Sequence, residues 1–503
     1  RNEGEKGMKR GMGFLLVILL GWLTAGCSAG SDRNNDSAPA QRAPVAESSA
    51  QESSAEYEDM YFRDYGTNPY VTAEDDRLST FAIDVDTGSY TLARSYIEDG
   101  NLPPREAVRP EEFINYFDLD YEPPEENTFA IHVDAGPSPF WDVEAQLVRI
   151  GIKGKEIDAE ERKRANLTFV IDVSGSMKQD NRIGLVKRSL RLLVNQLNAD
   201  DRIGIVVYGT TARKVLNPTP VEDGELILDA IDDLRIEGST NAEAGLLAGY
   251  KMAGKSFEKN AINRVILCSD GVANIGETEP EGILNTIEDF AGRGIYLSAF
   301  GFGMDNYNDV LREQLADKGN GTYAYIDDID EARKVFQEQL TGTLQTIAKD
   351  AKIQVEFDPD QVERYRLLGY ENRAIDDDEF RNNRVDGGEV GAGHSITALY
   401  EVELKDGAAE PLGKVTIRYK DADDKYESKE TTESIRVSEE LSDETRFIAS
   451  VAEFAEIMKD REGMDEDRLE DVLRLARRTA ASERQEEFVE LVERAIEING
   501  ANK

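Results

Sequence analysis

The sequence predicts an α/β protein: a doubly wound, mostly parallel sheet with an N-terminal α+β flanking module, a C-terminal β-rich module and a helical C-terminus. Three observations lead there. Over residues 166–346, apolar runs (LTFVIDV, RIGIVVYG, RVILCSD, IYLSAFGFG, TYAYID) alternate with amphipathic helix-like stretches, the pattern of a parallel sheet covered on both faces. Over 347–437, short strands such as AKIQVEFD, HSITALYEVEL and GKVTIRYK are separated by acidic, Gly-rich turns. Over 438–503, ETRFIASVAEFAEIMKD, DRLEDVLRLARRTA and RQEEFVELVERAIE repeat apolar residues at helical spacing.

Taken from the start, residues 1–27 read as a signal peptide. Lys9 and Arg10 precede an apolar run from Phe14 to about Leu23, shorter than the ~20 residues of a membrane-spanning helix, so removal is expected. Residues 1–7 fit no part of a signal, which makes Met8 the expected translation start. Leu23, Thr24, Ala25, Gly26 and Cys27 resemble a bacterial lipoprotein box, in which the cysteine becomes the lipid-modified first residue; Thr24 stands where that motif usually has leucine. The alternative is an ordinary signal with an incidental cysteine. Ser28 lacks the aspartate that retains many lipoproteins in an inner membrane. The expectation is an exported, envelope-anchored lipoprotein, with the outer membrane favoured if the organism has two.

Residues 28–58, rich in Ser, Ala, Gln, Pro and Asp, have little to bury and read as a flexible tether. Residues 59–165 mix strands (LSTFAIDV, FAIHVDA, AQLVRIGIKG) with short helices (YTLARSYIED, PEEFINYF) and proline breaks. This is the N-terminal flanking module. The chain carries 101 Asp and Glu against 59 Lys and Arg, a formal charge of −42, which repels nucleic acid and excludes it as a partner class. Cys268, inside VILCSD, reads as a small core residue, and no intrachain disulfide is expected.

The chemistry concentrates at strand ends. In DVSGS, Asp172, Ser174 and Ser176 fall at i, i+2 and i+4; Thr240 lies in EGSTN before a helix, and Asp270 in LCSDG after a strand. In a parallel sheet such loops gather at one edge. Carboxylates and hydroxyls are hard oxygen donors suited to Mg²⁺, or to Mn²⁺ or Ca²⁺, and not to metals that seek thiolate or imidazole. Each residue alone could simply cap a helix or tighten a turn; the ordered set of five points to a metal.

That ordered set resembles a von Willebrand factor type A (VWA) domain with its metal-ion-dependent adhesion site. The resemblance implies that Asp172, Ser174, Ser176 and Thr240 contact the ion directly or through water, with Asp270 often acting through water. It also implies one coordination position kept for an acidic side chain of a protein partner. In related domains the last helix can shift as the metal loop closes, which makes EARKVFQEQLTGTLQ a candidate relay to the C-terminal part. The flanks LSTFAIDVDTGSY, NLPPREAVRPEEFINYFDLDY and RYRLLGYENR resemble the family-specific modules of a bacterial group of VWA lipoproteins (YfbK-like). The implied function is metal-dependent binding of an unknown protein partner, with membrane contact through the lipid anchor, and not an enzyme.

Competing readings remain open at this level. One is a structural envelope protein whose metal stabilises its own fold. A serine hydrolase could draw only on His132 or His394 and lacks the G-x-S-x-G elbow. Metal-assisted hydrolysis lacks a visible general base. The stretch FAIDVDTGSY echoes FVIDVSGSM and contains Asp86, Thr87 and Gly88. An aspartic protease needs two such triplets. As a second metal loop it fails on register, since i+4 from Asp84 is Gly88. It reads as a strand entering a turn within the flanking module.

Overall fold

The computed structural model describes residues 62–83, 86–140, 145–270, 280–303, 314–315, 318–385, 387–422, 427–460 and 465–501. The signal, Cys27 and tether readings on 1–58 lie outside them, as does most of the predicted helix NDVLREQLADKG at 308–319. All described residues fall in one contact-dense unit, Ser53–Lys503.

At the centre is a six-stranded sheet made of β5 (Ala165–Asp172), β6 (Arg202–Tyr208), β7 (Ala212–Pro220), β8 (Ile262–Ser269), β9 (Tyr296–Gly301) and β10 (Tyr323–Tyr325), in the order β10-β9-β8-β5-β6-β7. Every pairing is parallel except β6 with β7, where the short connection Gly209–Thr211 forces an antiparallel return. β5 is buried along its whole length, which is why its sequence is largely apolar and does not alternate with polar residues. Phe169 and Ile171 face one helical layer, with α3 (Arg182–Gln196) and α4 (Gly224–Asp232), while Val170 faces the other, with α5 (Ala242–Lys255) and α6 (Pro280–Gly292). This is the doubly wound sheet that the alternation predicts.

The flanks differ from their sequence reading. N-terminal strands β1 (Val71–Thr72), β2 (Leu78–Ala82), β3 (Phe129–Pro137) and β4 (Ala145–Gly154) do not form a module of their own. They pair with β11 (Thr346–Phe357), β12 (Val362–Leu367), β13 (Val390–Gly391), β14 (Ser395–Leu404), β15 (Gly413–Asp421) and β16 (Ser428–Ile435) in two antiparallel sheets. One sheet runs β1-β12-β14-β4-β3; in the other, β13-β11-β15-β16, β2 also pairs with β11. Ile150, Ile152, Val355, Tyr400 and Ile417 belong to the core that the two sheets share. Helices combine likewise: α1 (Gly88–Glu98) and α2 (Pro110–Ile114) join the C-terminal α9 (Asp443–Lys459), α10 (Glu466–Thr479) and α11 (Glu483–Ala501) in one core, where Phe117 meets Phe447 and Phe488 edge-on at 5.2 and 5.7 Å. The central α/β domain is therefore inserted into a sandwich built from both ends of the chain.

The predicted last helix of that domain is broken. It runs as α7 (Ile329–Arg333), a wide π turn over Lys334–Glu338 closed by Gln339 N–H to Lys334 O at 2.9 Å, and α8 (Leu340–Leu344). Only Gln345 separates α8 from β11. The Gln345 side-chain oxygen accepts from Lys163 N–H at 2.8 Å, so the two chain crossings between sandwich and inserted domain lie side by side.

Candidate metal centre

The carboxyl end of β5 sets Asp172 beside β8, because Ile171 is in register with Cys268. Asp172 is fully buried. Its Oδ1 accepts from Ser174 N–H at 2.8 Å and its Oδ2 from Ser269 Oγ at 3.1 Å. The loop turn then brings Ser174 Oγ to 3.0 Å from Ser176 Oγ. Burial pushes the Asp172 carboxyl up to about 6; the Ser174 and Ser269 bonds oppose that shift and the neighbouring Asp270 carboxylate adds to it.

Thr240 arrives from a different element, and backbone bonds fix where its loop lies. Glu237 N–H donates to Val173 O at 2.6 Å and Gly175 N–H to Gly238 O at 3.1 Å, stitching the EGST loop to the DVSGS loop. Gly238 sits at φ +70°, and a Cβ there would lie 2.0 Å from Thr210 Oγ1, so this approach requires glycine. Asn241 caps α5 by accepting from Ala244 N–H at 3.0 Å. Thr240 is half-buried and makes no side-chain hydrogen bond among the described residues.

Asp270 follows β8 and is buried. Its Oδ2 accepts from Arg182 Nη1 at 3.2 Å, a contact the sequence gives no hint of. Gly303, at φ +112°, leaves the space that this arginine fills: a Cβ there would lie 2.2 Å from Arg182 Nε. Ser269, directly before Asp270, holds Asp172 as well, and is not among the five residues that the sequence pattern singles out.

The donor set fits a hard divalent ion. Two buried carboxylates share a strand edge with one buried guanidinium, two hydroxyls stand together and a third lies on the adjoining loop. Sulfur and imidazole are absent from the five residues. Among the described residues no group of three or more His, Cys, Asp and Glu that could hold a metal ion comes together, here or elsewhere, so the fit rests on two carboxylates supplemented by hydroxyls.

Asp86 and the histidines go elsewhere. The sequence places Asp86 in its own module's turn; in the structure its Oδ1 accepts from Tyr323 N–H on β10 at 3.1 Å, and a Cβ on Gly88 would lie 2.6 Å from the Tyr323 ring. The D-T-G stretch thus clamps the flank to the edge of the central sheet. His132 Nε2 lies 2.9 Å from Glu122 O. His394 is half-buried and packs against Gly342 of α8. Among the described residues neither histidine bonds Ser174 or Ser176.

Comparison with known proteins matches residues 56–149 to a family described as von Willebrand factor and 166–338 to the von Willebrand factor type A domain. Residues 342–498 match the C-terminal domain of the uncharacterized protein YfbK. The chain is 40% identical over 351 residues to YfbK of Escherichia coli strain K12, covering 68% of this chain and 61% of that protein. It is 29% identical over 194 residues to human inter-alpha-trypsin inhibitor heavy chain H3, covering 36% of this chain and 21% of the relative. Among solved structures, a von Willebrand factor type A protein from Catenulispora acidiphila is 18% identical with a TM-score of 0.44, over 75% of this chain and 91% of that one. Domains of this type serve protein–protein interaction and adhesion in general, and commonly hold a divalent metal.

Proposed function

From the premise that the chain carries a von Willebrand factor type A domain joined to a YfbK-type C-terminal domain, we propose a metal-dependent binding protein. It is an exported envelope lipoprotein, anchored through Cys27, that engages a protein partner at a divalent cation held by Asp172, Ser174, Ser176, Thr240 and Asp270. The observation that carries this reading is the buried Asp172 carboxylate, fixed by Ser174 N–H and Ser269 Oγ, with the Ser174 and Ser176 hydroxyls 3.0 Å apart beside it.

When bound, Mg²⁺, or Mn²⁺ or Ca²⁺, supplies a positive charge with a position open to a partner's carboxylate. The chain's own contribution is rigidity. β5 and β8 hold Asp172 and Asp270, the Gly238 loop carries Thr240 alongside, and Arg182 offsets part of the buried negative charge at Asp270. Nothing turns over in this scheme. The lack of a histidine partner for Ser174 or Ser176 among the described residues favours binding over serine hydrolysis.

The test is calorimetric titration with Mg²⁺ of the wild type and of Asp172→Ala, followed by partner capture from solubilised membranes with Mg²⁺ and then with chelator. Loss of both signals with unchanged melting in chelator supports the proposal. Melting that collapses in Asp172→Ala, with capture insensitive to chelator, means that the ion is structural. Cys27→Ser should abolish incorporation of labelled palmitate; retained label removes the proposed anchor.

A further inference from the structure

A groove of about 600 Å³ lies where α5 leaves the outer strand β7 and its neighbour β6 partly uncovered. Its floor is apolar, with Val206, Ala212, Pro218 and Met252. On α5, Ala248, Lys251, Met252 and Lys255 recur at i, i+3, i+4 and i+7, so one helix face supplies both apolar wall and two ammonium groups. Arg202 and Lys214 add charge from the strands.

The pairing of these charges separates the groove from an ordinary solvated surface. Arg202, Lys251 and Lys255 enter no ion pair among the described residues, and Lys214 reaches only Asn217 Oδ1, at 2.7 Å. The carboxylate in the lining, Glu258, is bound to Arg164, and the fifth cation, Arg213, is held by Glu237 at 2.6 Å. In a chain with a net charge of −42, four cations free of carboxylate partners line one concavity. Their mutual repulsion is relieved by an anionic occupant. A bare inorganic anion leaves the apolar floor uncovered, and a flat lipid surface does not fill a concavity while the acidic remainder repels it. Leu247, 47% exposed one turn before Lys251, extends the apolar strip.

We propose that this groove docks an extended acidic segment of a partner protein, with carboxylates on either side of one or two apolar side chains. The contact uses none of the five cation-site residues. It is therefore expected to be independent of divalent metal and to stand or fall separately from the binding function above.

The probe is a fluorescein-labelled peptide with an Asp-Glu-Leu-Phe-Asp-Glu centre, followed by anisotropy on the full chain. At about 50 mM salt, where charges act over longer distances, it should bind saturably. Affinity should fall at least about tenfold in K251E/K255E, which introduces like charge at two exposed positions, and about as much in 0.5 M salt; chelator should change nothing. A peptide with Lys in place of Asp and Glu should not bind. The proposal is overturned by absence of peptide binding, by equal affinity for K251E/K255E, by chelator sensitivity, or by wild type that binds anionic phosphatidylglycerol vesicles and not the peptide.

Discussion

Asp172 and Asp86 each come after an apolar strand and before a Ser/Gly turn, yet their carboxylates have different neighbours. Asp172 accepts from Ser174 and Ser269 at the end of the central sheet and has a second carboxylate, Asp270, close by. Asp86 accepts from Tyr323 N–H across the boundary between flank and inserted domain, and its other oxygen lies 3.9 Å from the Arg373 guanidinium. That boundary pairs its other charges too: Arg94 grips Asp327 through two bonds of 2.8 and 2.7 Å, the Tyr116 hydroxyl donates to Glu331 at 2.8 Å, and Lys334 Nζ donates to Tyr116 O at 2.9 Å. One region leaves negative charge in excess and the other cancels it. Similar local sequence thus ends in a strand edge with unbalanced negative charge, the proposed cation site, or in a domain contact, according to what tertiary structure sets opposite the aspartate.

The sharpest way to break this contrast is to uncancel the docking region. Arg94→Met keeps most of the stem and leaves Asp327 and Glu331 buried without their guanidinium; a loss of about 3–5 kcal/mol in denaturant unfolding is expected, with Mg²⁺ affinity unchanged. A drop in Mg²⁺ affinity would mean that the two regions are coupled. Next comes pH. Burial pulls the His394 imidazole down to about 4, with Lys153 adding to the shift. The unfolded chain binds this proton near 6.5 and the folded one only near 4, so the histidine makes stability fall as pH drops through that window, by up to about 3 kcal/mol. His394→Gln should flatten that part of the profile, and an unchanged slope refutes the assignment.

Asp172→Ala should weaken Mg²⁺ binding about 100-fold, or about 2.7 kcal/mol, without the loss of stability expected for Arg94→Met. Asp86→Ala should do the reverse on a smaller scale: the Tyr323 N–H loses its acceptor, costing about 1–3 kcal/mol, and the metal titration stays as in wild type. Equal effects of both substitutions on Mg²⁺ would erase the distinction between the loops.

The central sheet was legible because a strand buried on both faces is largely apolar and does not alternate, as in LTFVI, and because the candidate residues sit within a few positions of those strand ends. Sandwich pairings were not legible. Val71 faces Tyr365 and Ala82 faces Lys352, and periodicity gives a strand's face without its neighbour. Arg182 is not legible in the sequence because its role depends on the space left by Gly303, far along the chain. The last helix reads as continuous since Lys334–Glu338 keeps helical composition; the π turn, which occurs where Lys334 and Glu338 meet Tyr116 and Arg484 of the flanks, is a tertiary outcome.

The insertion has a mechanical side. The two strands that carry the chain into and out of the inserted domain, β4 and β11, are both interior: β4 lies between β14 and β3, and β11 between β15 on one edge and β13 and β2 on the other. A pull transmitted from the domain is taken up by strands bonded along both edges, whose hydrogen bonds must fail together instead of unzipping one after another. Gln345, as the sole link between α8 and β11, gives the exit side of that load path almost no slack, whereas residues 155–164 join β4 to β5 on the entry side.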